Sequence, residues 1–238
     1  MRYFLSFVLV SLSFSVFAAE PDLRTIREKL KSKFPGMSVE GVSKSPVPGL
    51  YEIEMGAQIA YISKDGRYLI VGHIIDVESR ANLTEKRQQR VLKRIIANLN
   101  EKEMIIIGPK KAVRTLTIFT DVDCPYCARL HRDVPTLNKH GVKIRYLLYP
   151  RNGLNSSTYK KSVAVWCAKD RVKAIGLAKA GKKIPMKTCK NPVAAHYKLG
   201  QKIGIRGTPA IVVDDGRLIG GYVPAAKLLN MLGISPKK

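Results

Sequence analysis

The spacing of apolar residues divides the chain into a short helical stretch, a strand-rich stretch, a long helix and a second, mixed unit. Leu23, Ile26 and Leu30 recur at intervals of three and four across residues 22–34, the period of a helix with one buried face, and Pro35 and Gly36 end it. Strand-like runs follow at 37–42, 50–55, 57–63 and 68–76. Pro46, Pro48 and Gly49 separate the first two runs, and Asp65-Gly66 signals a two-residue hairpin between the last two. The pattern predicts a small domain of one helix on an antiparallel sheet. A piece of about 60 residues is marginally stable alone, and association through a sheet edge is a natural remedy.

From 83 to 99, Val91, Leu92, Ile95, Ile96 and Leu99 recur among basic and polar residues, with Thr84 placed to cap the start. This predicts a charged helix joining two units, with the boundary between about 104 and 109. The second unit opens with an alternating, β-branched run at 115–120 that leads directly into Asp121-Val122-Asp123-Cys124-Pro125-Tyr126-Cys127. A helix is expected from 124 to about 137, a strand at 142–149, two strands at 210–213 and 217–220 around Asp214-Asp215-Gly216, and a closing helix at 225–232. The order βαβ then ββα is the minimal thioredoxin-like arrangement, and the mainly helical span 153–207 reads as an insertion. The fold class is therefore α+β. Its parts are an N-terminal domain over 19–80, a linker helix and hinge over 81–108, and a thioredoxin-like domain over 109–238.

Composition narrows the picture. With 238 residues, 45% of them hydrophobic, and only 4 Cys, the chain can bury a real core, which excludes disorder and a disulfide scaffold. Residues 1–18 read as a signal peptide: Arg2 is positive, 3–16 carry no charge, and Val16-Phe17-Ala18 suits cleavage after Ala18. The apolar run is shorter than the roughly 20 residues that span a bilayer. The mature protein is thus expected to be exported, into a compartment where disulfides persist. Its charge is lopsided: residues 19–108 carry 15 basic and 12 acidic side chains, and 109–238 carry 26 and 6. The basic residues are dispersed and no nucleic-acid-binding signature accompanies them, so a solvated basic surface is expected and nucleic acid is not.

The chemistry centres on Cys124-Pro125-Tyr126-Cys127. Two thiols at this spacing on a helix start can close a small disulfide. When they are reduced, the first faces the unpaired N–H groups and positive end of the helix. The Cys124 pKa should fall below the free value of about 8.5, making it nucleophile and leaving group, while Cys127 releases the client from the mixed disulfide. Pro125 suits the first turn because it has no N–H to lose. Half of a zinc site and a purely structural disulfide are the competing readings; Cys167 and Cys189 offer no second C-x-x-C, so neither a metal nor a cofactor is expected.

Pro209, in Gly207-Thr208-Pro209, stands at the mouth of a predicted central strand, where it cannot donate to the ladder. It reads either as a plain loop proline or as a cis proline beside Cys124, with the Thr208 backbone free to pair with an extended client. Cys167 and Cys189 read as a structural bridge worth roughly 3 kcal/mol, or as two free thiols. His131, one helical turn beyond Cys127, reads as a packing residue more readily than as a tuner of the site; His73, His140 and His196 show no partner spacing. Asp121 and Asp123 suit turn or capping roles, with proton relay the alternative, and Trp166 suits the core.

At these residues the chain resembles the DsbC/DsbG family of bacterial periplasmic thiol:disulfide interchange proteins, over almost the whole mature length. The resemblance rests on Asp65-Gly66-Arg67-Tyr68-Leu69, Asn82-Leu83-Thr84-Glu85, Phe119-Thr120-Asp121 before the C-x-x-C, Arg145-Tyr146-Leu147 with Pro150-Arg151, Trp166-Cys167-Ala168-Lys169-Asp170, and Gly207-Thr208-Pro209-Ala210. It implies a cystatin-like N-terminal domain and a V-shaped homodimer holding two thioredoxin-like domains over a peptide-binding cleft. It further implies that Cys124 attacks wrong disulfides in misfolded exported proteins, that Pro209 is cis, that Cys167 pairs with Cys189, and that a membrane reductase of the DsbD type keeps the active pair reduced. Pro125-Tyr126 is similar to the DsbG branch, which adds two alternative activities: reduction of sulfenylated single cysteines, and disulfide-independent holdase action.

Overall fold

In a computed structural model describing residues 23–235, the strand-rich stretch and the mixed unit each form a sheet, and one helix packs on both. The expected signal peptide, 1–18, lies outside the described residues. Helix α1 (Leu23–Lys33) buries Ile26 and Leu30 against a four-stranded antiparallel sheet ordered β1-β2-β3-β4. Its strands are Gly41–Lys44, Leu50–Met55, Gln58–Ser63 and Leu69–Ile70. Ile53 and Ala60, opposite one another in the register, are fully buried beneath the helix.

Three local expectations are corrected here. The first strand lies at 41–44 rather than 37–42, because pairing with β2 begins only at Gly41 opposite Glu54. The Asp65-Gly66 turn is wider than a two-residue hairpin: Ser63 N–H bonds Tyr68 O, leaving residues 64–67 as the loop, with Gly66 at φ 66°. The apolar run 68–76 is not one strand. It breaks after Ile70 and resumes as β5 (Ile75–Asp76), which pairs with β6 (Ala81–Asn82) in a separate ribbon.

Helix α2 (Leu83–Ala97) is capped not by Thr84 but by Asn82, whose side chain accepts the Glu85 N–H at 3.0 Å. Thr84 is buried, and its hydroxyl bridges the Tyr61 phenol at 2.5 Å and the Ile74 N–H at 2.8 Å. Adjacent apolar pairs let this helix serve two neighbours. Val91 packs on Ile59 and Tyr61 of the first sheet, whereas Leu92 and Ile96 join Phe119, Leu147 and Val212 of the second.

The second sheet has five strands: β7 (Ile105–Ile107), β8 (Arg114–Thr120), β9 (Val142–Leu148), β10 (Ala210–Val213) and β11 (Leu218–Gly220), ordered β11-β10-β8-β9-β7. Only β8 and β9 are parallel, joined through α3 (Pro125–Lys139). Strand β7 lies inside the stretch read as linker and hinge; its three isoleucines pair antiparallel with β9 and close the sheet edge. Leu116 and Ile118 face α3 and α7 (Ala225–Met231), while Phe119 faces α2, the alternation of a strand buried on both sides. The insertion contains α4 (Ser157–Trp166), α5 (Arg171–Lys179) and α6 (Val193–Lys202). Among the described residues no helix is long and apolar enough to cross a membrane.

Candidate active site

The central strand β8 ends at Thr120, and the chain turns through Asp121 and Asp123 into α3. The buried Asp121 carboxylate accepts the Asp123 N–H at 2.8 Å and the Arg151 N–H at 2.9 Å, and pairs with the Arg151 side chain at 3.3 Å. Asp123 accepts the Thr158 hydroxyl at 3.0 Å and pairs with Lys161. Asp121 thus ties the strand-to-helix turn to the segment after β9, and Asp123 ties it to the insertion.

This turn delivers Cys124 as the N-cap of α3 with Pro125 in the first turn. Cys127 N–H points at the Cys124 sulfur from 3.4 Å, and the Cys124 thiol donates to the Thr208 carbonyl at 3.3 Å. The Thr208–Pro209 peptide is cis. The thiol–carbonyl contact places Thr208 beside the Cys124 sulfur, with Pro209 next in the chain directly before β10. The Thr208 hydroxyl is buried without a hydrogen-bond partner among the described residues.

The two thiols, both buried, are pushed in opposite directions. Burial disfavours the Cys124 thiolate, but the Thr208 side chain, the Cys127 N–H and the Arg151 guanidinium together outweigh it and hold its pKa below the ordinary value. Burial dominates at Cys127 and raises its pKa, against the attraction of Lys179. Tyr126 beside them is 54% exposed, with the Arg129 guanidinium 5.5 Å over its ring.

The remaining cysteines stand elsewhere. Cys167 and Cys189 are joined across the insertion with Cα atoms 5.8 Å apart. Their sulfurs are occupied with each other, and no cluster of three metal-ligating side chains occurs among the described residues. His131 packs on Tyr146, its Nδ1 3.1 Å from the phenol, and burial lowers its pKa to about 4. His196 is also core: it accepts the Leu148 N–H at 3.1 Å and stands edge-on to buried Trp166. His73 lies 3.2 Å from Asn82, and His140 contacts Thr136 O at 2.9 Å.

Sequence reading passed over two residues at the site, Arg151 and Lys179. Arg151 is 30 positions from its partner Asp121, so spacing gives no hint of it. Lys179 falls four residues after Ile175 on the buried face of α5, a position where a charge is anomalous.

Residues 101–233 match a thioredoxin-like domain family, and 17–85 match the disulfide bond isomerase protein N-terminal domain family. The thiol:disulfide interchange protein DsbC of Escherichia coli K12 is 36% identical over 231 residues, covering 96% of this chain and 94% of that protein. DsbC of Haemophilus influenzae is 36% identical over 214 residues, covering 90% and 91% respectively. Among solved structures, a disulfide interchange protein from Neisseria gonorrhoeae is 29% identical with a TM-score of 0.51, covering 57% of this chain and 96% of that one.

Proposed function

The chain belongs to the DsbC family of thiol:disulfide interchange proteins, and from that premise we propose that it is a periplasmic disulfide isomerase acting through Cys124. In the first step the Cys124 thiolate bonds to one sulfur of a non-native disulfide, and the other client sulfur leaves as a thiolate. That thiolate can attack a further disulfide of the same client. The thiolate this frees attacks the client sulfur bound to Cys124 and releases Cys124 as a thiolate, so the pairing changes with no net oxidation. If rearrangement stalls, Cys127 attacks Cys124. The Cys124–client bond then breaks, the client leaves reduced by two electrons, and the Cys124-Cys127 disulfide must be reduced again from outside. A membrane thiol reductase of the DsbD type fills that role.

The observation that carries this reading is the Cys124 sulfur set between the Cys127 N–H and Thr208 O, with its pKa held down. Once Cys124 ionises it no longer donates, and Thr208 O becomes free to accept an N–H from an extended client lying along Thr208 and Pro209. Pro125 and exposed Tyr126, which follow Cys124 at the start of α3, are assigned to the same client contact.

A homodimer joined through the first domain completes the reading. Strand β4 is the sheet edge, and exposed Tyr68, Ile70 and Val71 lie on and beside it, apolar surface that a second copy would cover. Two sites facing one client raise the effective concentration of each. Residues 1–18 act as the cleaved export signal, 19–80 as the dimerisation unit and 81–108 as the connector. The catalytic unit over 109–238 gains the edge strand Ile105–Ile107.

The test is recovery of activity from a scrambled multi-disulfide enzyme by the mature protein, with Cys124→Ala alongside. Recovery that disappears in the variant is expected. Equal recovery by the variant would remove Cys124 from the exchange; no recovery by the dimeric, reduced protein would turn the reading toward sulfenic-acid reduction or holdase action.

A further inference from the structure

Beneath the two thiols lies a buried lysine that the exchange chemistry described above does not use. Lys179, at the end of α5, is 8% exposed. Its Nζ donates to the Thr120 hydroxyl at 2.7 Å and to the Asp121 carbonyl at 3.1 Å, and lies 5.8 Å from the centre of the Tyr146 ring. These anchors hold the ammonium at the strand end from which the Cys124–Cys127 turn departs, where α5 packs on α3.

A buried cation is costly unless an anion answers it. The nearby carboxylates pair directly with other cations, Asp121 with Arg151 and Asp123 with Lys161, and favour the ammonium only through space and less than the thiols do. Each of the other titratable groups packed around Nζ fails as a partner. His131 on α3 is neutral, its pKa lowered to about 4 by burial and by the lysine itself. The Tyr146 phenol on β9 is raised by burial and stays protonated. Arg151 is itself a cation. That leaves the thiols, and Cys124 already has the Cys127 N–H, the Thr208 side chain and Arg151 to favour its thiolate.

We propose that Lys179 is a positioning residue for the resolving step, its buried ammonium serving as the counter-charge that lets Cys127 ionise inside the protein. Before attack the Cys127 proton passes to solvent, leaving a net-neutral thiolate–ammonium pair. Cys127 Sγ then bonds to Cys124 Sγ, the Cys124–client bond breaks, and the departing client thiolate takes a proton from solvent. Lys179 thereby sets how long a mixed disulfide survives, and so how the protein divides its work between rearranging a client and releasing it reduced. Burial raises the Cys127 thiol and lowers the lysine, and each charge opposes the effect of burial on the other.

The inference rests on Cys127 as the resolving thiol, but its test needs no client. In full-length Cys124→Ser protein, iodoacetamide labelling of Cys127 is followed against pH with and without Lys179→Met. The substitution is expected to slow labelling about tenfold at pH 7, with the difference closing as pH rises; a merely structural role would not close with pH. Thr120→Val, which removes one anchor of Nζ and also a hydroxyl that favours the Cys127 thiolate directly, should slow labelling in the same sense and further in the presence of Lys179 than in its absence. A third measurement keeps lysine in place: by linkage, blocking Cys127 must lower the Lys179 titration midpoint, read by lysine Nζ NMR. Unchanged labelling in folded Lys179→Met, or an unmoved lysine titration after Cys127 is blocked, overturns the proposal and leaves the isomerase assay untouched.

Discussion

The Cys124 sulfur and the Thr208 carbonyl oxygen stand 3.3 Å apart although 84 residues of chain separate them. The contact closes the site from two sides: α3 brings the thiol, and the loop before β10 brings an acceptor that binds the thiol and releases the thiolate. Single-thiol variants should separate the two cysteines. In Cys127→Ser, Cys124 is expected to label with a midpoint below the free-thiol value of about 8.5, and in Cys124→Ser, Cys127 above it. The sign for stability follows. A depressed folded pKa makes the Cys124 contribution fully present above the unfolded thiol pKa and loses it as pH falls through the folded value. Relative to the protein lacking both thiols, Cys127→Ser should therefore gain stability with rising pH across that window in urea unfolding.

Arg151 reaches Cys124 by charge alone, from a side chain that solvent partly screens. Arg151→Met should slow Cys124 labelling about two- to threefold at pH 7, and less at high salt. A rate insensitive to both the substitution and salt would remove Arg151 from the electrostatics of the site.

Those effects mark the limit of what the sequence discloses. The C-x-x-C, its strand-to-helix setting and Pro209 are local patterns, since a helix start and a proline before a strand are written in neighbouring residues. Lys179 and Arg151 are not, because their partners come from other elements and only the folded chain joins them. The same holds for Thr84. Its place one residue into an apolar-periodic helix reads as a cap, but Asn82 takes that role once β6 runs directly into α2, and the threonine is left to the core. Strand β7 was missed for a related reason. Three isoleucines between two polar stretches carry no period of their own, and their pairing with β9 is a long-range event.

Thr84 gives a direct measure of that buried role. Its hydroxyl is shared by the Tyr61 phenol and the Ile74 N–H, so Thr84→Val leaves both without a partner in a site that has lost no volume. A loss of about 1–3 kcal/mol is expected from urea unfolding. A helix cap at this position would instead be rescued by Asp, which should restore little here, whereas Ser keeps the shared hydroxyl and should recover most of the loss.

Arg87 fastens α2 to the first sheet. It donates to Glu52 at 2.9 Å and to Glu54 at 3.1 Å, both buried carboxylates on β2. Arg87→Met strands one of them wholly and the other in part, and should cost about 3–5 kcal/mol. Arg94, which also pairs with Glu54, keeps its side chain more than half exposed, and Arg94→Met should cost less than about 1 kcal/mol. Equal losses would mean that the ladder of charges, rather than burial, sets the strength of this joint.

The bridge between Cys167 and Cys189 tests whether the insertion is a passive ornament of the fold. The bond ties the C-terminal end of α4 to residues 180–192, a stretch with no helix or strand of its own, across a separation of 22 residues. Its loss in Cys167→Ala/Cys189→Ala should cost roughly 3 kcal/mol through the freedom regained by the unfolded chain. Helix α5, which carries Lys179, lies inside that loop, but it also buries Ala174, Ile175 and Ala178 in the core of the second sheet. Packing should therefore keep the lysine in place without the bond. The double variant is expected to unfold at lower urea while Cys127 labels with its pH profile unchanged. If the profile instead shifts upward as it would in Lys179→Met, the disulfide of the insertion holds the charge that acts on Cys127, and the two cysteine pairs of this chain are mechanically linked.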